Sequence, residues 1–166
     1  WRVRGNDSEA SNTWGSWSST TSFTVDTSLT VSAWHQTATA QFDTNTLTGV
    51  VATGTNQVQL ISGSTTGTMT SAPISFTDGE IGTAWDSLSW NDNETVGDIK
   101  YQVQYLNGDI WSLIPDSVLT SNSSGFDTSP LSLIGLDVTT YSDLRIVANF
   151  TNSGGSPSLQ DWSVMW

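Results

Sequence analysis

The sequence has no cysteine, one histidine and only four lysines and arginines among 166 residues. Without cysteine the chain can form no disulfide, thiolate nucleophile or sulfur-ligated metal site. The single histidine, His35, has no second imidazole with which to share a metal, and a serine-histidine-aspartate triad would depend on this one residue. These absences argue against an enzyme.

Positive charge is scarce. Four basic residues stand against 16 acidic ones, which gives a formal net charge of -12. Nucleic acids and anionic membranes are bound through clustered lysine and arginine, but Arg2, Arg4, Lys100 and Arg145 are scattered. No apolar run approaches the length of a membrane span. We therefore expect neither nucleic acid nor membrane insertion.

The composition also indicates where the protein resides. Low lysine with abundant serine, threonine, asparagine and glycine is typical of microbial surface proteins, which predicts an extracellular or cell-surface location. Nine tryptophans and regularly spaced aliphatic residues provide more apolar area than a disordered chain carries. A folded domain is expected.

Alternation of apolar and polar residues with period two runs along most of the chain, and no window has a sustained 3.6-residue period. The strongest run places Ile99, Tyr101, Val103 and Tyr105 between Lys100, Gln102 and Gln104. Asn107-Gly108 then predicts a hairpin turn. Further strands are predicted near residues 38–42, 58–60, 74–76, 144–150 and 162–166. The pattern predicts an all-β fold.

The first 26 residues contain WRVRG and then TWGSWSSTTSFTV. They resemble the last two strands of a fibronectin type III domain, here residues 1–5 and 20–26 joined by a long turn. The resemblance implies that the earlier strands precede Trp1. If Trp1 is instead a processed terminus, the two strands would complete the sheet of an identical subunit by strand addition. Under either alternative the subunit or domain contacts are Trp1, Val3, Phe23 and Val25.

Residues 34–166 carry QFDTNTLTG, GTMTSAPISF, WDSLSW, KYQVQY, YSDLRIVANF and SPSLQDWSVMW. In this order they resemble the jelly-roll modules of microbial surface and secreted proteins, similar to galactose-binding-like and carbohydrate-binding domains. The expected architecture is a set of fibronectin-like strands with a connector over residues 1–33, followed by an antiparallel jelly-roll β-sandwich over residues 34–166.

Acidic residues cluster in one predicted loop, where Asp92, Glu94 and Asp98 offer the oxygen ligands that calcium takes. The jelly-roll resemblance implies a second structural calcium site at Asp43 and Asp161, between the first and last strands. No other cofactor is predicted. The pairs Asp78 with Glu80 and Asp92 with Glu94 could in principle hydrolyse glycosides. They occupy turn sequences, where acids are usually solvated turn formers.

Tryptophan can stack on the apolar face of a sugar ring. Trp90, Trp111 and Trp162 are expected to pack between sheets, which leaves Trp34 and Trp85 as candidate exposed platforms. Four Asn-x-Ser/Thr sequons mark candidate glycosylation sites, at Asn6, Asn93, Asn122 and Asn149.

These observations favour a non-catalytic structural or adhesive module of a repetitive surface protein or extracellular filament, whose partners are neighbouring domains or identical subunits. The competing hypothesis is a carbohydrate-binding module of a secreted hydrolase, with surface glycans as ligands.

Overall fold

A computed structural model describes residues 32–76 and 84–166, together with two short stretches near the start of the chain. The chain divides into two compact units, Trp1–Thr30 and Val31–Trp166. In the first unit, β1 (Asn6–Asp7) pairs antiparallel with β2 (Thr13–Trp14), inside the stretch expected to be a turn. The predicted strands at residues 1–5 and 20–26, with their contact residues Trp1, Val3, Phe23 and Val25, lie outside the described residues.

The second unit contains one short helix and twelve of the described strands. In chain order they are β3 (Ala33–Gln36), α1 (Thr39–Phe42), β4 (Thr46–Thr48), β5 (Val50–Thr53), β6 (Gln57–Leu60), β7 (Thr66–Thr70), β8 (Ile74–Ser75), β9 (Ser87–Asn93), β10 (Gly97–Asn107), β11 (Ile110–Leu113), β12 (Leu131–Ser132), β13 (Asp143–Asn152) and β14 (Ser158–Met165). Within the described part of the chain, no helix has the length and hydropathy of a membrane span.

The strands form two antiparallel sheets. One, the β10 sheet, has the order β11-β10-β13-β7-β4, with β8 also paired to β13. The other, the β14 sheet, has the order β12-β9-β14-β6-β5, with β3 also paired to β14. The chain is thus nearly all β and has the arrangement of an antiparallel sandwich, which confirms the predicted fold class.

The alternating residues of β10 and β13 form one wall of the core, because successive side chains of a strand point to opposite faces. Ile99, Tyr101 and Val103 are fully buried. On the same face of the sheet they lie beside their cross-strand partners Phe150, Ala148 and Ile146 of β13, which are buried as well. The periodicity therefore correctly predicted the inward face of both strands.

In β14 the alternation is interrupted. Leu159 and Trp162 are three residues apart and would face opposite sides of a regular strand, yet both are fully buried. The register with β9 shifts between Leu159 and Asp161. This irregularity rotates the strand so that both side chains reach the core.

The strand predicted at residues 38–42 is wrong, because these residues form the helical turn α1. The Gln41 side chain accepts the backbone N–H groups of Thr37 and Ala38 at 2.8 and 3.0 Å, which stabilises the start of the turn. Phe42 is fully buried. The turn, rather than an extended strand, delivers this ring to the core.

A buried polar network joins β3 to the centre of the β14 sheet. The indole N–H of Trp162 donates to Gln36 Oε1 at 2.8 Å, and Asn45 Nδ2 donates to the same oxygen at 2.7 Å. Ser32 exchanges backbone hydrogen bonds with Trp166. The sheet therefore includes residues on both sides of the boundary predicted at residue 34.

Candidate ligand-binding face

The outer face of the β10 sheet is formed by the residues that alternate with the core residues. The cross-strand register places Gln104 beside Arg145, Gln102 beside Val147, and Asn149 beside Thr68. Its outward side chains include Trp111 and Leu113 of β11, Lys100, Gln102, Gln104 and Leu106 of β10, Arg145, Val147 and Asn149 of β13, Thr66, Thr68 and Thr70 of β7, and Thr46 and Thr48 of β4.

An aromatic and a cation meet at one end of this face. Trp111 pairs with Leu106 across the β10–β11 hairpin and is half-buried. The guanidinium carbon of Arg145 lies 4.7 Å from the centre of the indole ring, and Arg145 Nε donates to Gln104 Oε1 at 2.6 Å. Burial lowers the pKa of Arg145 from its ordinary value. Three neighbouring strands thus hold an indole, a guanidinium and an amide in fixed relation.

A row of amides continues from this pair toward the middle of the sheet. Asn149 Nδ2 donates to Gln102 Oε1 at 3.1 Å and to the Lys100 carbonyl at 3.3 Å. Gln102 Nε2 donates to the carbonyls of Asn122 and Ser123. Among the described residues, Gln104 Nε2 and Asn149 Oδ1 have no protein partner, and no buried side-chain polar atom is unsatisfied. One donor and one acceptor therefore remain open to solvent.

The far end of the face is a groove rich in threonine hydroxyls. Its volume is about 350 Å³. It is lined by Thr48, Gly49, Thr66, Gly67, Thr68, Asn149, Phe150 and Thr151. The hydroxyls and the Asn149 amide are groups that can hydrogen-bond a ligand rich in hydroxyl groups.

The structure corrects the predicted roles of two tryptophans, Trp85 and Trp111. Trp85 is only 1% exposed, packs on Phe76, and donates its indole N–H to the Tyr141 carbonyl at 2.7 Å. It is therefore not an exposed platform. Trp34 is half-buried against Trp162, with ring centres 5.5 Å apart. Trp111, expected in the core, lies on the outer face instead.

Parity across the hairpin could have identified Trp111 from sequence. In a two-residue hairpin, directly opposite residues share a face. Whether the turn residues are Asn107-Gly108 or Gly108-Asp109, Trp111 falls opposite Gln104 or Leu106, on the face away from Tyr105. The error came from assigning Trp111 by its apolar character alone.

The first set of calcium candidates does not form a ready ligand cluster. Asp92 Oδ2 accepts the Tyr101 hydroxyl at 2.8 Å, and Glu94 Oε1 accepts the Ile99 N–H at 2.6 Å. Asp98 lies 3.7 Å from Lys100 Nζ. Burial raises the pKa of Asp92 and of Glu94. Across residues 32–76 and 84–166, no group of three or more histidines and carboxylates could hold a metal ion.

The second calcium candidate pairs Asp43 with Asp161. Asp43 directly follows α1, and its backbone N–H donates to the Thr39 carbonyl. Asp161 lies in β14 and accepts Asn91 Nδ2 at 3.3 Å. Structural calcium stays a prediction that the described geometry does not favour. Asp78 and Glu80, named above as a possible pair for glycoside hydrolysis, lie outside the described residues.

The candidate glycosylation sites occupy different environments. Asn122 is fully buried, and its amide donates to the carbonyls of Val103 and Ile114, both at 2.8 Å. Its side-chain nitrogen is inaccessible in the folded protein, so the prediction for Asn122 is wrong. Asn149 is half-buried within the amide row. Asn93 is exposed and accepts hydrogen bonds from Thr95, whereas the Asn6 side chain is outside the described part.

No family model matches the chain, and no curated protein matches it. The fibronectin type III and jelly-roll resemblances therefore stay predictions. The geometry of the outer face is the observation on which a function can be argued.

Proposed function

We propose that this chain is a non-catalytic module that binds an oligosaccharide on the outer face of the β10 sheet. The observation that carries the proposal is the half-exposed Trp111 against Arg145, whose Nε donates to Gln104 at the end of a row of amides that includes Gln102 and Asn149. An indole contacts the apolar face of a sugar ring, and neighbouring amides bond its hydroxyl groups.

The size of the face suits a chain of sugars. Neighbouring strands lie about 4.8 Å apart, so the five strands from β11 to β4 span roughly 19 Å. Trp111 stands at one edge and the threonine groove near the other. Trp111 lies beyond the Tyr105–Leu144 pair and the groove lies at residues 149–151 of β13, so a ligand would have to run diagonally over the strands to meet the indole, then the amides, then the hydroxyls.

The outer face of the β14 sheet is the natural comparison. Its outward residues include His35, Gln59, Ser89, Asn91, Asp161 and Ser163. Among the described residues it is mostly polar, with Val51 and Met165 as apolar exceptions, and it carries no phenylalanine, tyrosine or tryptophan. Only the β10 sheet combines a stacking surface with oriented amides.

An adhesive role is compatible with this proposal, because a surface module that binds glycans is an adhesin. Assembly by strand addition through Trp1, Val3, Phe23 and Val25 is a separate hypothesis. It concerns residues outside the described part of the chain and stays a prediction.

The test is a titration of neutral and acidic oligosaccharides against the wild type and Trp111→Ala by isothermal calorimetry. Because a central aromatic anchor is typically worth 2 kcal/mol or more, we expect binding to weaken by at least about tenfold. Trp34→Ala tests the other candidate platform. A wild type that binds no glycan, or a Trp111→Ala variant that binds as well as wild type, would refute the proposal.

A matched pair of glutamines tests the amide row. Gln104→Ala removes the amide whose Nε2 has no protein partner, whereas Gln59→Ala removes a similarly half-buried amide from the outer face of the β14 sheet. We expect only the first to lower affinity, by a factor of about ten for one lost hydrogen bond. Equal effects would place the ligand elsewhere.

A further inference from the structure

Both basic side chains of the described residues, Lys100 and Arg145, stand on the outer face of the β10 sheet. They differ in their partners. Lys100 Nζ lies 2.7 Å from an Asp127 carboxylate oxygen and 3.7 Å from one of Asp98, so its charge is already paired. These two carboxylates balance the Lys100 charge without a ligand.

Arg145 has no such partner. Among the described residues no carboxylate lies within 4.0 Å of its guanidinium. Asp143, two residues earlier on the same strand, accepts the hydroxyls of Ser75 and Ser142 instead. In a chain with four times as many acidic as basic residues, a cation without a carboxylate is unexpected.

The contacts of Arg145 leave most of its hydrogen-bond donors free for a ligand. Only Nε donates to a described acceptor, Gln104 Oε1, so the four N–H groups of the terminal nitrogens remain available. The guanidinium carbon lies over the Trp111 ring, 4.7 Å from its centre. A planar, partly desolvated guanidinium binds carboxylates in a bidentate manner, and such charge-assisted bonds are roughly twice as strong as neutral ones.

We propose that the outer face prefers a sugar carrying a carboxylate, such as a uronic or sialic acid, with Arg145 as the partner of that charge. This inference rests on the oligosaccharide site proposed above. The sugar ring contacts the exposed part of Trp111, its carboxylate bonds the Arg145 terminal nitrogens, and Gln104 Nε2 donates to a neighbouring oxygen. The strongly acidic protein would repel long polyanions, so the preferred chain is short or sparsely charged.

The experiment compares matched ligands that differ only in charge. Oligogalacturonate and sialyllactose are each titrated beside their own methyl ester, against the wild type. We expect one acidic ligand to bind at least about tenfold more tightly than its neutral counterpart, because the ion pair adds to the same ring contacts. The arm that shows the effect identifies the kind of acidic sugar.

Variants assign the effect to Arg145. Arg145→Gln should abolish the difference in affinity between acid and ester, and Arg145→Lys should keep part of this difference. Lys100→Gln, which removes a charge already paired with Asp127, should leave the ratio of acid affinity to ester affinity unchanged. Should Arg145→Gln fail to fold, raising NaCl from about 0.05 to about 0.5 M must weaken the wild type's binding of the acid and not of the ester.

The outcomes separate the two proposals. Equal affinity for acid and ester, with both lost in Trp111→Ala, would overturn the charge preference and leave the oligosaccharide site standing. Binding of neither would refute both. An acid preference that survives Arg145→Gln would overturn the role of Arg145.

Discussion

Trp85, Trp90 and Trp111 occupy two environments, the core and the outer face of the β10 sheet. Trp85 is buried, and its indole N–H is satisfied there because it donates to the Tyr141 carbonyl. Trp90 stacks on Tyr101 with ring centres 4.2 Å apart, which confirms its predicted place in the core. Trp111 remains accessible on the outer face. A tryptophan is identified as a ligand platform only when its neighbours on adjacent strands are known.

Asn122 is a buried residue whose role is structural. Its side chain accepts the Val103 N–H and donates to the Val103 and Ile114 carbonyls, each at 2.8 Å. Asn122→Ala leaves the Val103 N–H and the Ile114 carbonyl without partners, while the Val103 carbonyl keeps the Ile114 N–H, so we expect the free energy of unfolding to fall by about 2–4 kcal/mol. Urea unfolding measures this. Asn93→Ala, at an exposed asparagine, is the control, and an equally stable Asn122→Ala would contradict the prediction.

Asp92 makes the protein's stability depend on pH. Burial raises its pKa, so the folded state binds more protons than the unfolded state between the ordinary pKa and the folded one. The contribution of Asp92 to stability therefore falls as pH rises through that window. Asp92→Asn, whose amide oxygen can still accept the Tyr101 hydroxyl, should raise the melting temperature at about pH 7 and change it little at about pH 3.

Asp137 provides a control of opposite sign. The Thr139 backbone N–H, followed by the Thr139 and Thr140 hydroxyls, lowers its pKa. Its stabilising contribution is present above the ordinary pKa and is lost as pH falls through the folded one. Asp137→Asn should therefore lower the melting temperature near neutral pH and not in acid. The same sign in both variants would show that these linkages are misassigned.

At the scale of elements, β7 passes close to the bend between β4 and β5. A Cβ at Gly67 would lie 2.7 Å from Val50 Cγ1 and 2.8 Å from the Gly49 carbonyl. Gly67→Ala should therefore destabilise the protein by about 1–3 kcal/mol, as overpacking does. At Gly54 nothing lies within 4 Å, so Gly54→Ala should be neutral or stabilising by up to about 1 kcal/mol. Thermal unfolding of both variants compares them, and equal effects would contradict this packing.

At the scale of the whole molecule, β3 completes the β14 sheet. A fragment of residues 31–166 keeps the Gln36 acceptor of Trp162 and the Ser32–Trp166 hydrogen bonds. We expect it to unfold in one cooperative transition. A fragment of residues 37–166 leaves the buried Trp162 N–H unpaired and should be less stable by at least about 2 kcal/mol. Equal stability of the two fragments would show that β3 is dispensable.

The sequence by itself determined the fold class and the inward faces of β10 and β13. Both are local properties, since side chains alternate across a strand whatever its neighbours are. The same locality explains the errors. Phe42 reaches the core from a helical turn capped by Gln41, and β14 is irregular near Gln160, which a strict alternation does not anticipate.

The tertiary structure decided the candidate site. Trp111 and Arg145 are 34 positions apart in the sequence, and they meet because β11 and β13 flank β10 in the same sheet. Sheet order depends on how whole strands pair, and no local pattern records it. Charge composition excluded nucleic acid as an expected partner, but only the fold showed that Lys100 is paired and that Arg145 has no carboxylate beside it.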